Sequence, residues 1–459
     1  MTISPSGLKA LENIVGAPHF STGKEERLVY SYDATGRSFL PDAVVFPATE
    51  QEVSDIFKLA DLEEFPVIPR GSGSGMTGGA VPVQGGVVVS TGRMNKIIEI
   101  DDRNFIARVE PGVIVSDLHK AVEAKGLFYP PDPASSAVCT IGGNIGECAG
   151  GPRAVKYGVT RDYVLGLRVV LPSGEIIETG VSTAKGVAGY DLTRLIVGSE
   201  GTLALVTQIV LRLLPKPAAV KTMAVFFDGT DAAAQTVSAV MKQAVIPRCV
   251  EYLDHASLGL VQDKLAFELP DKTQALLILE LDGEVDEVET SAQIIREFCM
   301  KRGALDVMIA SDSNDAAKLW QARKSLSPVL YKIAPNKINE DIVVPISKIP
   351  KMVDAITQIQ KESGLTVVAF GHAGDGNIHC NIMYDKSDDD QSKRAHKAVD
   401  ELFDITLKLG GTITGEHGVG ITKMAYLEKE VGKRELALMK GIKQVFDPKN
   451  ILNPGKIFS

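Results

Sequence analysis

The stretch PRGSGSGMTGGA, Pro69 to Ala80, carries glycines at 71, 73, 75, 78 and 79. Residues without a Cβ let several consecutive backbone N–H groups face one anion, and a loop of this composition suits a diphosphate. The spacing from Gly73 to Gly78 also satisfies GxGxxG, but a Rossmann site needs a helix to open there. Here Val81–Pro82 and then the β-branched run GGVVVST follow. A Rossmann fold is therefore rejected, and the loop is expected between strands.

Upstream, EQEVSDIFKLADLEE places Val53, Ile56 and Leu59 at helical spacing, and FPVIPR reads as a buried strand. Downstream, NKIIEID, IARVEPGV and RDYVLGLRVVLPSGEIIET are β-branched runs punctuated by Gly and Pro, with a helix at VSDLHKAVEAKG. A second glycine-dense segment, TIGGNIGECAGGPRAVKYG (Thr140 to Gly158), follows the rigid PPDPASS. Two anion-friendly segments in one region suggest one extended ligand. In GYDLTRLIVGSEGTLALVT, Asp191 and Arg194 read as capping and pairing residues rather than ligands.

After Lys216–Pro217 the pattern becomes strand and helix alternation: KTMAVFFD, DAAAQTVSAVMKQA, ALLILELDG, EVETSAQIIREFCMKRG. A second domain is expected from 217 to 415, with residues 416 to 459 returning to a first domain built on 1 to 216. The C-terminal stretch reads as a helix closed by Asp447–Pro448.

With 459 residues, 44% hydrophobic and 23% charged, the chain is long enough for more than one core. A formal charge of −9 offers no general attraction to nucleic acid or anionic lipid. The five cysteines, 139, 148, 249, 299 and 380, lack CxxC spacing, so neither an iron–sulfur cluster nor a disulfide framework is expected. No charge-free window reaches membrane-spanning length, and the opening residues lack the pattern of a secretory or transit leader. A cytoplasmic location is expected, with any membrane association made through a partner.

VVAFGHAGDGNIHCNIMY, Val367 to Tyr384, reads as strand, tight turn, strand. It sets His372 just before the turn and His379 just after it, and alternation sends His379 and Asn381 to one face. GTITGEHGVG adds Glu416 and His417 among glycines. Two imidazoles and one carboxylate satisfy a divalent metal while leaving positions open for a substrate. Arg323, in AAKLWQARKSLSPVL, has the planar fork suited to a carboxylate.

The set of glycine segments resembles the FAD-binding domain of the vanillyl-alcohol oxidase superfamily. Residues from about 20 to 459 resemble its D-lactate dehydrogenase, glycolate oxidase large-subunit and D-2-hydroxyglutarate dehydrogenase branch. The resemblance implies a two-domain α+β flavoprotein with an FAD-binding domain and a substrate or cap domain. It implies FAD contacts at Arg70, Gly71, Ser72, Gly73, Ser74, Gly75, Gly78, Pro131, Thr140, Gly143, Asn144 and Gly150. Without His or Cys in the first glycine loop, non-covalent FAD is expected. It further implies His372, His379 and Glu416 as ligands of a divalent metal (Zn, Fe or Mn), His417 as catalytic base, and Arg323 and Asn381 as substrate contacts. The implied reaction oxidises a D-2-hydroxy acid, D-lactate or glycolate favoured, to the 2-keto acid. Its electrons leave for an electron-transfer flavoprotein, an iron–sulfur subunit or a quinone pathway. D-2-hydroxyglutarate as substrate, an FAD-binding electron-transfer subunit without substrate chemistry, and an aryl-alcohol oxidation stay as alternatives. Lys337, in KINEDIVVP, is assigned no role.

Overall fold

The computed structural model describes residues 3–458, and the chain forms two compact units. The first comprises Met1–Gly150, Val159–Lys216 and Glu416–Ser459; the second comprises Gly151–Gly158 and Pro217–Gly415. Gly151–Gly158 sits with the second unit although it lies far from Pro217 in the chain. Lys156 Nζ reaches the buried Asp282 carboxylate at 2.5 Å, and Tyr157 donates its hydroxyl to the same group at 2.7 Å.

The first unit holds a four-stranded sheet ordered Phe20–Ser21, Ala43–Val45, Val87–Ser90, Val67–Arg70, its last three strands parallel. Parallel strands covered on both faces read as continuous apolar runs, and Val87, Val88 and Val89 are fully buried. The helix Glu50–Glu63, capped by Thr49, packs Val53, Ile56, Phe57 and Ala60 into the same core. The chain terminus closes this sheet: Val67 donates to Ile451 O and accepts from Asn453 N, both at 2.8 Å. An antiparallel sheet of five strands runs Ile97–Asp101, Ile106–Val109, Leu205–Arg212, Val164–Val170, Ile176–Gly180. The Pro69–Ala80 segment leaves strand Val67–Arg70 without forming a helix, as the Val81–Pro82 sequence requires.

The second unit is built on a seven-stranded antiparallel sheet. Its order is Ala304–Ile309, Ala219–Phe227, Ala275–Gly283, Cys249–Leu253, Val367–His372, Asn377–Tyr384, Asn336–Val343. Cross-strand partners share a face. The register pairs Ala224 with Ile278, Ile278 with Glu251, Glu251 with His372, Phe370 with His379, and Asn381 with both Val368 and Asn339. One face thus runs from apolar at one edge to polar at the other. The helix Ser313–Val329, capped by Asp312, covers its apolar part with Leu319, Ala322, Leu326 and Val329.

Candidate active site

In the first unit, the Pro69–Ala80 loop is irregular, and a Cβ would collide at Gly71, Gly73, Gly78 and Gly79. Gly73 has φ +72°, and a Cβ there would come 2.2 Å from Arg70 Nη2. A Cβ at Gly71 would meet Thr140 Oγ1 at 2.4 Å, which places the second glycine segment directly alongside. Arg70 is buried, and its guanidinium donates to Tyr32 O at 2.8 Å and Ala80 O at 3.3 Å, bracing the loop from within. Among the described residues, no backbone N–H from Ser72 to Ala80 donates to a protein acceptor. Such an array of uncommitted donors fits a diphosphate.

The second glycine segment is a short helix, Ile141–Glu147, rather than the loop its composition suggests. Thr140 caps it by accepting from Gly143 N, and Gly142 permits its approach to Pro111, which a Cβ would meet at 2.6 Å. Asn144 is buried with its Nδ2 lacking any hydrogen-bond partner, a donor suited to a bound cofactor. Pro131 accepts from His119 Nε2 at 2.9 Å, fixing the Pro130–Ser136 segment. Gly150 borders Glu416, whose Oε2 would lie 2.8 Å from a Cβ. Cys139 and Cys148 are free thiols, and burial raises the pKa of both. Asp191 caps Leu192–Ile196 through Arg194 N and stays a structural residue.

The loop bearing His417 is clamped from three sides within the first unit. Thr77 donates its hydroxyl to His417 O at 3.1 Å, and the buried Glu200 accepts from Val419 N and Gly420 N at 2.7 Å each. Gly418 takes φ +86°, where a Cβ would lie 2.4 Å from Glu147 Oε2. Burial raises the pKa of Glu200, while the two amides, Lys456 and Lys423 oppose that.

The second unit brings His372, His379, Asn381 and Arg323 to the polar end of one sheet face. His372 and His379 are 4% and 7% exposed, with Nε2 atoms 3.5 Å apart. Gly415 N donates to Asp341 at 2.9 Å. His372, His379 and Glu416 each offer one ligand atom, all within 4.8 Å of one another. Two nitrogens held about 2.1 Å from a tetrahedral ion stand about 3.4 Å apart, so this donor set fits a divalent metal.

Arg323 reaches the same face from the helix Ser313–Val329, stacking over Phe370 at 4.6 Å and donating Nε–H to Glu251 at 2.5 Å. Asn381 is fully buried with its amide committed: Nδ2 donates to Val368 O and His379 O, and Oδ1 accepts from Asn339. The uncommitted oxygen beside it is Asn339 Oδ1, buried without a partner. Lys337 lies on the neighbouring strand, bonded to Ser327 at 2.9 Å, with its pKa lowered by burial.

Glu251 is the residue that the motif reading missed. It is fully buried; burial would raise its pKa, but His372 and Arg323 hold it down to about 2. Its signal was a lone carboxylate in the apolar run CVEYL, a position that needs a cation or donor nearby.

Residues 41–180 match the FAD binding domain, and residues 216–457 match the C-terminal domain of the FAD linked oxidases. The chain is 46% identical over 450 residues to glycolate oxidase subunit GlcD of Bacillus subtilis (strain 168), covering 98% of this chain and 96% of that one. The chain belongs to the FAD-linked oxidases. Among other members, D-lactate dehydrogenase of Anaerostipes hadrus is 35% identical over 91% of this chain and 89% of its own. This FAD-linked oxidase has the vanillyl-alcohol oxidase-type fold: p-cresol methylhydroxylase with substrate bound superposes with TM-score 0.81 at 20% identity, over 98% of this chain and 96% of that one. The protein is thus an FAD-dependent oxidoreductase.

Proposed function

We propose that this protein is an FAD- and divalent-metal-dependent dehydrogenase that oxidises a short D-2-hydroxy acid, D-lactate or glycolate, to its 2-keto acid. The observation that carries the reading is the grouping of the ligand atoms of His372, His379 and Glu416, with Arg323 on the sheet face that bears the two histidines, in a chain resembling GlcD and D-lactate dehydrogenases. Zn, Fe and Mn are all compatible with two imidazoles and one carboxylate.

When bound, FAD would supply a hydride acceptor for C2, and a metal held by His372, His379 and Glu416 would supply the Lewis acidity that lowers the pKa of a substrate 2-hydroxyl. His417 is the group assigned to take the hydroxyl proton, its loop fixed by Thr77 and Glu200. Arg323 holds the substrate carboxylate through its terminal nitrogens, because Nε is already engaged. Asn381, with Asn339 at its side, orders the strand surface next to the ligands. Arg70, Gly71, Ser72, Gly73, Ser74, Gly75, Gly78, Pro131, Thr140, Gly143, Asn144 and Gly150 would hold FAD without a covalent link.

The electrons must pass to a partner: an electron-transfer flavoprotein, an iron–sulfur subunit or a quinone pathway. The word subunit in the name of the Bacillus relative supports an assembly. Among the described residues, no helix is long and apolar enough to cross a membrane.

The deciding experiment is anaerobic. Purified protein is mixed with D-lactate, L-lactate, glycolate or D-2-hydroxyglutarate while its visible spectrum is recorded, before and after chelation. Bleaching by D-lactate or glycolate that chelation prevents is expected. A yellow protein that none of these acids bleaches would overturn the substrate class, and bleaching that survives complete metal removal would overturn the metal.

A further inference from the structure

Glu251 stands in the middle of strand Cys249–Leu253, and its two carboxylate oxygens serve two different partners. Oε1 accepts the Nδ1–H of His372, and Oε2 accepts the Nε–H of Arg323 at 2.5 Å. The first contact joins directly paired residues of neighbouring strands, and the second joins the sheet to the covering helix.

We propose that Glu251 is a positioning residue that sets both the metal-facing nitrogen of His372 and the substrate-facing edge of Arg323; the assignment rests on the function proposed above. With the proton on Nδ1 directed at Glu251, the lone pair of His372 lies on Nε2, the atom that faces His379. With Nε of Arg323 held and its guanidinium stacked on Phe370, Nη1 and Nη2 remain without protein acceptors among the described residues. That edge can meet a carboxylate through two parallel N–H···O bonds. One buried carboxylate therefore fixes the metal ligand and the carboxylate-binding group relative to each other.

Anchoring the helix to the sheet is not a sufficient account of Glu251. The same helix is already tied down one turn earlier, where Trp320 Nε1 donates to Glu280 at 2.7 Å. A purely structural role would change stability while leaving metal affinity and substrate KM unaltered in the folded protein.

The test uses the full FAD-loaded chain, stripped of metal and titrated with Zn2+ and Mn2+ against a competing chelator, with kcat and KM for D-lactate and glycolate measured in parallel. Glu251→Gln retains one acceptor oxygen, so either metal affinity or KM should worsen by about 10–100-fold. Glu251→Ala should worsen both, and the glutamine variant should recover part of that loss. Folded, yellow variants whose metal affinity and KM all stay within about threefold of the parent would overturn the proposal, since losing the group that orients a metal ligand costs more than that. Should Glu251→Ala fail to fold, the isosteric glutamine variant decides alone. A parent enzyme that binds no metal and is reduced by no hydroxy acid would sink the functional reading and this assignment together, whereas a loaded, active parent with unchanged variants sinks only Glu251.

Discussion

The imidazoles of His372 and His379 meet edge to face, with centroids 5.1 Å apart and planes at 87°. That arrangement directs both Nε2 atoms at one point, to which Glu416 adds an oxygen. Elemental analysis of purified protein is expected to find one divalent ion per chain. His379→Ala should retain at least about tenfold less after dialysis against a weak chelator, since a ligand is lost outright. Equal retention would remove His379 from the metal set.

His417→Gln should keep the yellow flavin spectrum, because its loop is held by contacts from Thr77 and Glu200 to the backbone at His417 O and Val419 N. The rate of flavin reduction in single-turnover mixing should fall by roughly 10²–10⁴, the usual worth of a positioned base. A rate within a few-fold of the parent would exclude His417 as the base.

Arg323→Met preserves much of the packing against Phe370 but removes the fork. Substrate binding should weaken by about 2–5 kcal/mol, the range for losing one member of a desolvated charge pair. The metal content should change less than in His379→Ala. Unchanged KM would place the substrate carboxylate elsewhere.

Gly73→Ala and Gly126→Ala form a matched pair, since both positions have φ +72°. The backbone cost is of order 1 kcal/mol for each. Only at Gly73 does the new methyl also collide, 2.2 Å from Arg70 Nη2, while Gly126 faces open space. FAD retention through gel filtration should drop for Gly73→Ala and persist for Gly126→Ala. Equal retention in both would argue that the loop does not grip the cofactor.

Lys456 is buried and donates to Val81 O at 2.5 Å and Asn453 Oδ1 at 3.3 Å. Burial lowers its pKa to about 8, despite Asp33, Glu200 and Glu147 nearby. Below pH 8 folded and unfolded chains both carry the proton, and the cost of burying it is felt in full. From pH 8 towards the ordinary lysine range the unfolded chain binds more protons, so this residue's contribution to stability rises with pH. In urea unfolding, the stability of the parent relative to Lys456→Met should increase by about 2 kcal/mol between pH 7.5 and pH 10. A flat difference would contradict the buried ammonium.

The features legible in the sequence are those whose physics is local. The Pro69–Ala80 glycines mark a loop because positive φ at Gly73 and Gly78 and close contacts at Gly71 and Gly79 exclude a Cβ, and Val81–Pro82 denies the helix that a Rossmann site needs. The strand, turn, strand pattern around His372 and His379 survives intact as Val367–His372 and Asn377–Tyr384. What depended on distant partners was not legible. Ile141–Glu147 is helical despite its glycines because Thr140 caps it and Pro111 packs on it. Glu251 finds Arg323 72 positions away and His372 121 positions away, separations at which no motif operates. Asn381 shares a face with His379 as alternation requires, yet its amide is spent on Asn339 and two carbonyls, a pairing that only the register fixes.

The hydrogen bonds joining Val67 to Ile451 and Asn453 carry a consequence for biosynthesis. Ile451 and Leu452 are 2% and 0% exposed, and Asn453 also donates to Gly79 O and Glu200 O. During translation, every strand of the seven-stranded sheet has left the ribosome before these residues are made. The contacts that Val67 makes with Ile451 and Asn453 can form only once residues 451–453 have been made. Nascent chains arrested before residue 451 should therefore protect the second unit from protease while leaving the first one open to cleavage.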